Sequence, residues 1–298
     1  MCVVDGGREL AARLVTLSDG RTLAVETAGD PLGRPVFLLH GTPGSRLGQA
    51  PRSQVLSWLG IRLITFDRPG YGDSDRLPGR TVADGAADVA TVADVLEVEL
   101  FAVVGRSGGA PHALACAALL PDRVTRTAAL LSLAPRNAGG LDWYAGMAQS
   151  NVDAYATALA ARPRLASELR ARSRDIRADP QRLIAELTRE MPASDRRVIA
   201  DRGVRTMLHA NFREAMRSHD AGGWIDDVVA FNQPWGFDPA DIPGRVLLWH
   251  GEDDVFSPVE HSRWLAGRIP QSHLLVQPGA AHFGVLRVLP AILKWAAH

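Results

Sequence analysis

The stretch FAVVGRSGGAPHALACAALLPDRV, Phe101 to Val124, decides how the chain is read. A short apolar run ends at Gly105, an alanine-rich run begins after Gly109, and Ser107 sits between them in Gly-Arg-Ser-Gly-Gly. A buried strand followed by a helix fits that pattern. Gly105 and Gly109 remove side chains where strand and helix pass closely, and Gly108 adds backbone freedom. Pro111 falls in the first helical turn, where its missing N–H costs little. A Gly-x-Ser-x-Gly match is weak alone. On a tight strand-to-helix turn it would expose the serine hydroxyl at the C-terminal edge of a sheet. The plainer reading is a small residue linking two elements.

Outward from this stretch, short β-type runs alternate with helical ones, which predicts a mostly parallel sheet covered by helices. Runs near Arg13–Leu17 and Thr22–Thr27 flank SDGR, whose Asp-Gly is a hairpin signal. PVFLLHG (Pro35–Gly41) follows, then a helical stretch to about Leu59, then IRLITFD (Ile61–Asp67). A helix is expected over Thr81–Val98, a strand over Leu100–Gly105 and another over Thr125–Ala134. From about Arg136 to Asp238 the alternation stops, and the chain reads as several amphipathic helices without a convincing strand. It resumes with GRVLLWHG (Gly244–Gly251), a helix near Pro258–Arg268, SHLLVQPG (Ser272–Gly279) and a last helix. The expected division is a core of residues 1–135 and 239–298 with a helical insertion at 136–238.

Composition narrows the partners. Among 298 residues, 33 Lys+Arg balance 33 Asp+Glu, and the two signs are interspersed without a basic run. No nucleic-acid or anionic membrane surface is implied. MCVVDGGRELAARL lacks the basic-then-apolar order of a secretory signal, and no apolar stretch approaches the roughly 20 residues of a membrane span. Cys2 and Cys116 are too few for a disulfide framework or a cysteine zinc site. A soluble cytoplasmic protein is expected, with a homodimer left open.

A serine hydroxyl is a poor nucleophile until a base takes its proton. Of nine histidines, His282 in PGAAHFG follows the last predicted strand, in a loop at the sheet edge where the serine turn lies. His112 lies one turn into the serine's own helix. His40 and His250 end strands and precede glycine, which suits structural roles. His209 and His219 belong to the insertion. An imidazole in turn needs an acceptor on its other nitrogen. HGEDDVFSP offers Asp253 and Asp254, both within reach of the histidine loop, and Asp254 is favoured.

At this point the chain resembles an α/β-hydrolase with a helical cap, over nearly its whole length. The residues that carry the likeness are HGTPG (His40–Gly44), DRPGYGDSD (Asp67–Asp75), GRSGG (Gly105–Gly109), HGEDD (His250–Asp254) and GAAHF (Gly279–Phe283). Each follows a predicted strand, in the order the family shows. The resemblance implies a mostly parallel eight-stranded sheet and a triad in the order Ser107, Asp254, His282. It also implies an oxyanion hole from the N–H groups of Gly108 and Thr42, since Pro43 has none to give. DRPGYGDSD is expected to support that neighbouring loop. Arg106 reads first as packing, and second as a site for an acidic substrate group.

In the insertion, Met147, Met191, Met207 and Met216 join Trp143, Trp224, Trp235, Phe212 and Phe231. As a group they predict an adaptable apolar wall. Trp143, Met147, Met207 and Trp224 are the candidate substrate contacts, although any one of them could simply hold helices together. Epoxide hydrolases and haloalkane dehalogenases place aspartate where Ser107 stands, which argues against an alkyl-enzyme ester. Proline iminopeptidases share DRPGYGDS but typically carry HGGPG, and they need cap carboxylates for the substrate ammonium. Glu186, Glu190 and Glu214 are the candidates for that role. The expected activity is hydrolysis of an ester, lactone or related acyl bond of an apolar small molecule, without cofactor or metal. The alternatives are an aminopeptidase, a carbon–carbon bond hydrolase, an acyltransferase, or a binding protein on the same fold.

Overall fold

A computed structural model of the chain describes residues 12–217 and 221–298, so Cys2, the start of the N-terminal segment read above and His219 lie outside the described residues. The strands are β1 (Arg13–Thr16), β2 (Thr22–Gly29), β3 (Arg34–Leu39), β4 (Ile61–Phe66), β5 (Phe101–Arg106), β6 (Val124–Leu130), β7 (Val246–Gly251) and β8 (Ser272–Gln277). They form one eight-stranded sheet in the order β1-β2-β4-β3-β5-β6-β7-β8. The hairpin at SDGR is present, with Thr16 opposite Thr22. β2 also runs antiparallel to β4, and every later pairing is parallel.

Alternate residues of each strand face opposite sides. Val36 and Leu38 of β3, with Ala102 and Val104 of β5, pack beneath α1 (Ser53–Trp58) and α11 (Val285–Ala297) through Leu56, Leu289 and Leu293. Phe37, Leu39 and Val103 face the other way, into a core shared with α2 (Asp84–Val95) and α3 (Gly109–Leu119). Burial on both faces is what a near-continuous apolar run such as FAVV requires. α10 (Val259–Ala266) covers β7 and β8.

Between β6 and β7 the described residues make six α-helices, α4 (Gln149–Ala160), α5 (Arg162–Ala178), α6 (Gln181–Glu190), α7 (Ala193–Ile199), α8 (Arg202–Ala215) and α9 (Gly222–Phe231), and a short 3-10 turn at Pro239–Asp241. No strand interrupts them among the described residues. One expectation needs correcting. The helical stretch before Leu59 is only the six residues of α1, and residues 40–52 form a loop. Pro43, Gly44, Gly48 and Pro51 deny that segment helical hydrogen bonds and stiffness. No helix of the described residues is long and apolar enough to cross a membrane.

Candidate active site

Ser107 occupies the single residue between β5 and Gly108, and its φ of +52° is left-handed backbone that a serine rarely adopts. Two backbone hydrogen bonds hold it. The Ser107 N–H donates to the Leu130 carbonyl of β6 at 2.8 Å, and the Ala110 N–H donates to the Ser107 carbonyl at 2.8 Å. Gly105 makes the turn sterically feasible, because a Cβ there would fall 2.3 Å from the Gly109 carbonyl oxygen. A strand therefore passes directly into α3, with the serine at the bend.

His282 lies in the loop after β8, and its Nδ1 is 2.8 Å from Asp254 Oδ2. That contact commits Nδ1 to the carboxylate and leaves Nε2 as the proton acceptor. Asp254 is buried, and its Oδ1 accepts the N–H groups of Phe256 (2.8 Å) and Ser257 (3.2 Å). Burial disfavours its charge, but His282 and His250 outweigh that and hold the carboxyl well below the usual range. Asp253, one residue earlier, is exposed and meets Ser194 Oγ at 3.4 Å. Between the two acids, the one facing His282 is Asp254.

Thr42, in the loop after β3, lies directly against Gly108. A Cβ on Gly108 would come within 3.1 Å of the Thr42 nitrogen and 2.1 Å of its hydroxyl, so only glycine fits. Among the described residues no backbone acceptor takes the N–H of Thr42 or of Gly108. Two unpaired donors thus stand together beside Ser107, and such a pair can meet a negative oxygen.

Ser107, His282, Thr42 and Gly108 line one cavity, which encloses about 1290 Å³ including its open mouth. Leu133, Leu183, Leu187, Phe212, Phe231 and Phe256 supply much of its apolar wall. Of the four residues expected on that wall, Trp224 is there, stacked under the Arg172 guanidinium at 4.9 Å. Trp143, Met147 and Met207 are not, which corrects the expectation. Trp143 is buried, donates its Nε1–H to the Ala134 carbonyl at 3.0 Å and packs edge-on against Tyr155 and His261. Met147 is buried in the core and Met207 packs half-buried against it, and neither is among the residues that line the cavity. Methionine fills any irregular gap, so its residue type does not distinguish a pocket wall from a helix seam.

The supporting shell carries the other motif residues. His40 is buried, with Nδ1 donating to the Gly41 carbonyl at 2.8 Å and Nε2 accepting the Arg68 N–H at 3.0 Å. Burial, and then the Arg68 charge, push its pKa well down, which keeps the ring neutral in that role. The Arg68 guanidinium hydrogen-bonds the His40 carbonyl and the Thr42 hydroxyl, the latter at 3.0 Å. DRPGYGDSD thus braces the Thr42 loop. His250 is held by Ser262 Oγ (2.7 Å) and the Ser257 carbonyl (2.6 Å), and His112 by the Val82 carbonyl (3.0 Å).

Two carboxylates of the insertion were not singled out from sequence. Asp227 of α9 is fully buried and receives Thr42 Oγ1, Arg68 (2.5 Å), Arg80 (2.6 Å) and Tyr71 Oη (2.8 Å). Burial works against its charge, and the two guanidiniums more than compensate, leaving the carboxyl well below the usual range. Asp195 of α7 accepts the Phe283 N–H at 2.7 Å, which fastens the insertion to the His282 loop. Burial chiefly raises its pKa. An acidic residue in an amphipathic helix looks like any solvated charge, so only the fold reveals that these two point inward.

Comparison with known proteins agrees with this architecture. A proline iminopeptidase of Xylella fastidiosa is 26% identical over 292 residues, covering 90% of each chain. Among solved structures, a bromoperoxidase of Bacillus anthracis superposes with a TM-score of 0.68 at 19% identity, covering 96% of this chain and 97% of that one. An enol-lactonase of Burkholderia xenovorans gives 0.67 at 20% identity, covering 95% and 97%. The family profile described as alpha/beta hydrolase fold matches residues 34–287, and the chain belongs to that family.

Proposed function

We propose that the protein is a serine hydrolase acting on a carboxylic ester, lactone or related acyl compound with a largely apolar body. The observation that carries this reading is the convergence on one cavity of Ser107 at its left-handed bend, the His282–Asp254 pair, and the unpaired N–H groups of Thr42 and Gly108. In this reading Ser107 Oγ attacks the carbonyl carbon while its proton passes to His282 Nε2. Asp254 steadies the resulting imidazolium, and the two N–H groups receive the oxyanion. The protonated imidazole then gives its proton to the leaving oxygen as that bond breaks. Water, deprotonated by the same nitrogen, attacks the acyl-enzyme and releases the acid.

The likeness to a proline iminopeptidase favours an aminopeptidase as the second reading. Substrate ammonium would then need a carboxylate in the cavity. Among the described residues no Asp or Glu lines it. Glu186 is paired with Arg172 at 2.7 Å, Glu190 accepts the Ser150 N–H at 2.9 Å, and Glu214 meets Arg46 at 2.6 Å. All three candidates already have partners, which supports an acyl substrate without a cationic end.

The test is turnover of p-nitrophenyl esters of graded acyl length beside proline p-nitroanilide. Wild-type protein should hydrolyse the esters, and Ser107→Ala should lose at least about a thousandfold of that rate. Turnover of the anilide in preference to every ester would favour the aminopeptidase, and undiminished ester turnover by Ser107→Ala would remove the nucleophile.

A further inference from the structure

Three arginines line the cavity, and two of them are spoken for. Arg46 meets Asp67 and Glu214, and Arg172 meets Glu186. Arg106 differs. Its guanidinium lies over the Phe283 ring at 5.2 Å, and among the described residues its one hydrogen bond is a long one, 3.4 Å from Nη2 to the His282 carbonyl. Its Nε is buried without a partner, and among the described residues no carboxylate lies within ion-pair distance. Burial pulls its pKa down to about 10, with Asp195 and Asp254 acting the other way from farther off. Those two acids are engaged with Phe283 and His282.

The guanidinium also sits beside the proposed nucleophile. A Cβ built on Gly41 would lie 3.3 Å from the Ser107 Cβ and 3.5 Å from Arg106 Nη1, so both side chains bracket that single point. An arginine fork presents planar paired donors that match a carboxylate. Once a substrate displaces water from the cavity, an unpaired guanidinium there is costly unless the substrate brings an anion.

We propose that Arg106 anchors a carboxylate carried by the substrate a short span from the scissile carbonyl. This rests on the serine hydrolase reading and names the substrate class for it: half-esters of dicarboxylic acids, or lactones that bear a carboxylate. Arg46 and Arg172, the other arginines of the wall, already hold carboxylates, so the site provides for one such charge.

The experiment compares kcat/KM at neutral pH for the p-nitrophenyl half-ester of glutaric acid and for p-nitrophenyl pentanoate, which has the same chain length without the charge. The wild-type protein should favour the charged ester by about tenfold or more, the worth of a hydrogen bond to a charged group. In Arg106→Gln the charged-to-neutral ratio should fall by about the same factor, and Arg106→Lys, which keeps charge but loses the fork, should fall between. A wild-type preference for the neutral ester, or an unchanged ratio in Arg106→Gln, overturns the inference. The wild-type ratio decides the matter even if the variants do not fold. Should Ser107→Ala keep the turnover of both esters, the hydrolase reading has failed and not merely this extension of it.

Discussion

Asp254 at the rim of the sheet and Asp227 on a helix of the insertion are both buried, with carboxyls below the usual range. Their surroundings separate them. Asp254 faces an imidazole on the cavity and is otherwise satisfied by two backbone N–H groups and Ser257 Oγ. Asp227 faces two arginines, a tyrosine and the Thr42 hydroxyl, and His112 Nε2 stands 3.8 Å away, outside the cavity lining. A buried acid hydrogen-bonded to an imidazole that lines the cavity can take part in proton transfer. One held by two arginines away from the cavity holds structure. In the proposed reaction the first serves chemistry, while the second docks the insertion onto the Thr42 loop.

The comparison can be broken by exchanging each acid. Asp254→Asn leaves the shape and removes the acceptor charge. We expect a fall in kcat of about ten-thousandfold, a tautomer effect seen in other serine hydrolases, together with a lower urea midpoint because the depressed carboxyl no longer contributes. A loss of less than about tenfold would place Asp254 with the structural carboxylates. Asp227→Ala strands Arg68 and Arg80 in the interior, and should lower unfolding stability by about 3–5 kcal/mol in urea titration. A loss below about 1 kcal/mol would mean that the insertion does not depend on this contact.

Protonation sharpens the same contrast. Both carboxyls are depressed in the folded protein, so their stabilisation is complete above the unfolded value of 3.8 and is lost as pH falls toward the folded values. Stability should therefore drop on acidification below about pH 4, and less steeply in Asp227→Asn. An equal slope in wild type and variant would contradict the depressed carboxyl. The smallest effects separate cavity wall from seam. Trp224→Ala should shift the preferred acyl length and change KM about tenfold. Met207→Ala should leave that preference in place and cost about 1 kcal/mol of stability at most. A length preference that follows Met207 would restore it to the wall.

What the sequence made legible follows from range. Ser107, Thr42, Asp254 and His282 each sit just beyond a strand with a clear apolar run, so topology alone brings them to one edge, as the strand order requires. The turn at Ser107 was visible because three glycines and a proline surround it. The insertion was less legible. Its helices could be expected from periodicity, but which face of each points inward depends on packing between distant segments. Residue type alone therefore does not separate Trp224, which lines the cavity, from Trp143, Met147 and Met207, which do not, nor does it mark Asp227 and Asp195 as inward-facing. The long helix expected before Leu59 failed for a local reason, the prolines and glycines between residues 43 and 51.

The central claim is that Ser107 Oγ is made reactive by its neighbours. Reaction of the folded protein with a fluorophosphonate, followed by peptide mapping, tests this directly. The account predicts one adduct, on Ser107, formed in the wild type and suppressed in His282→Ala. An unlabelled Ser107 in folded wild-type protein, or labelling that is just as fast without His282, would contradict it.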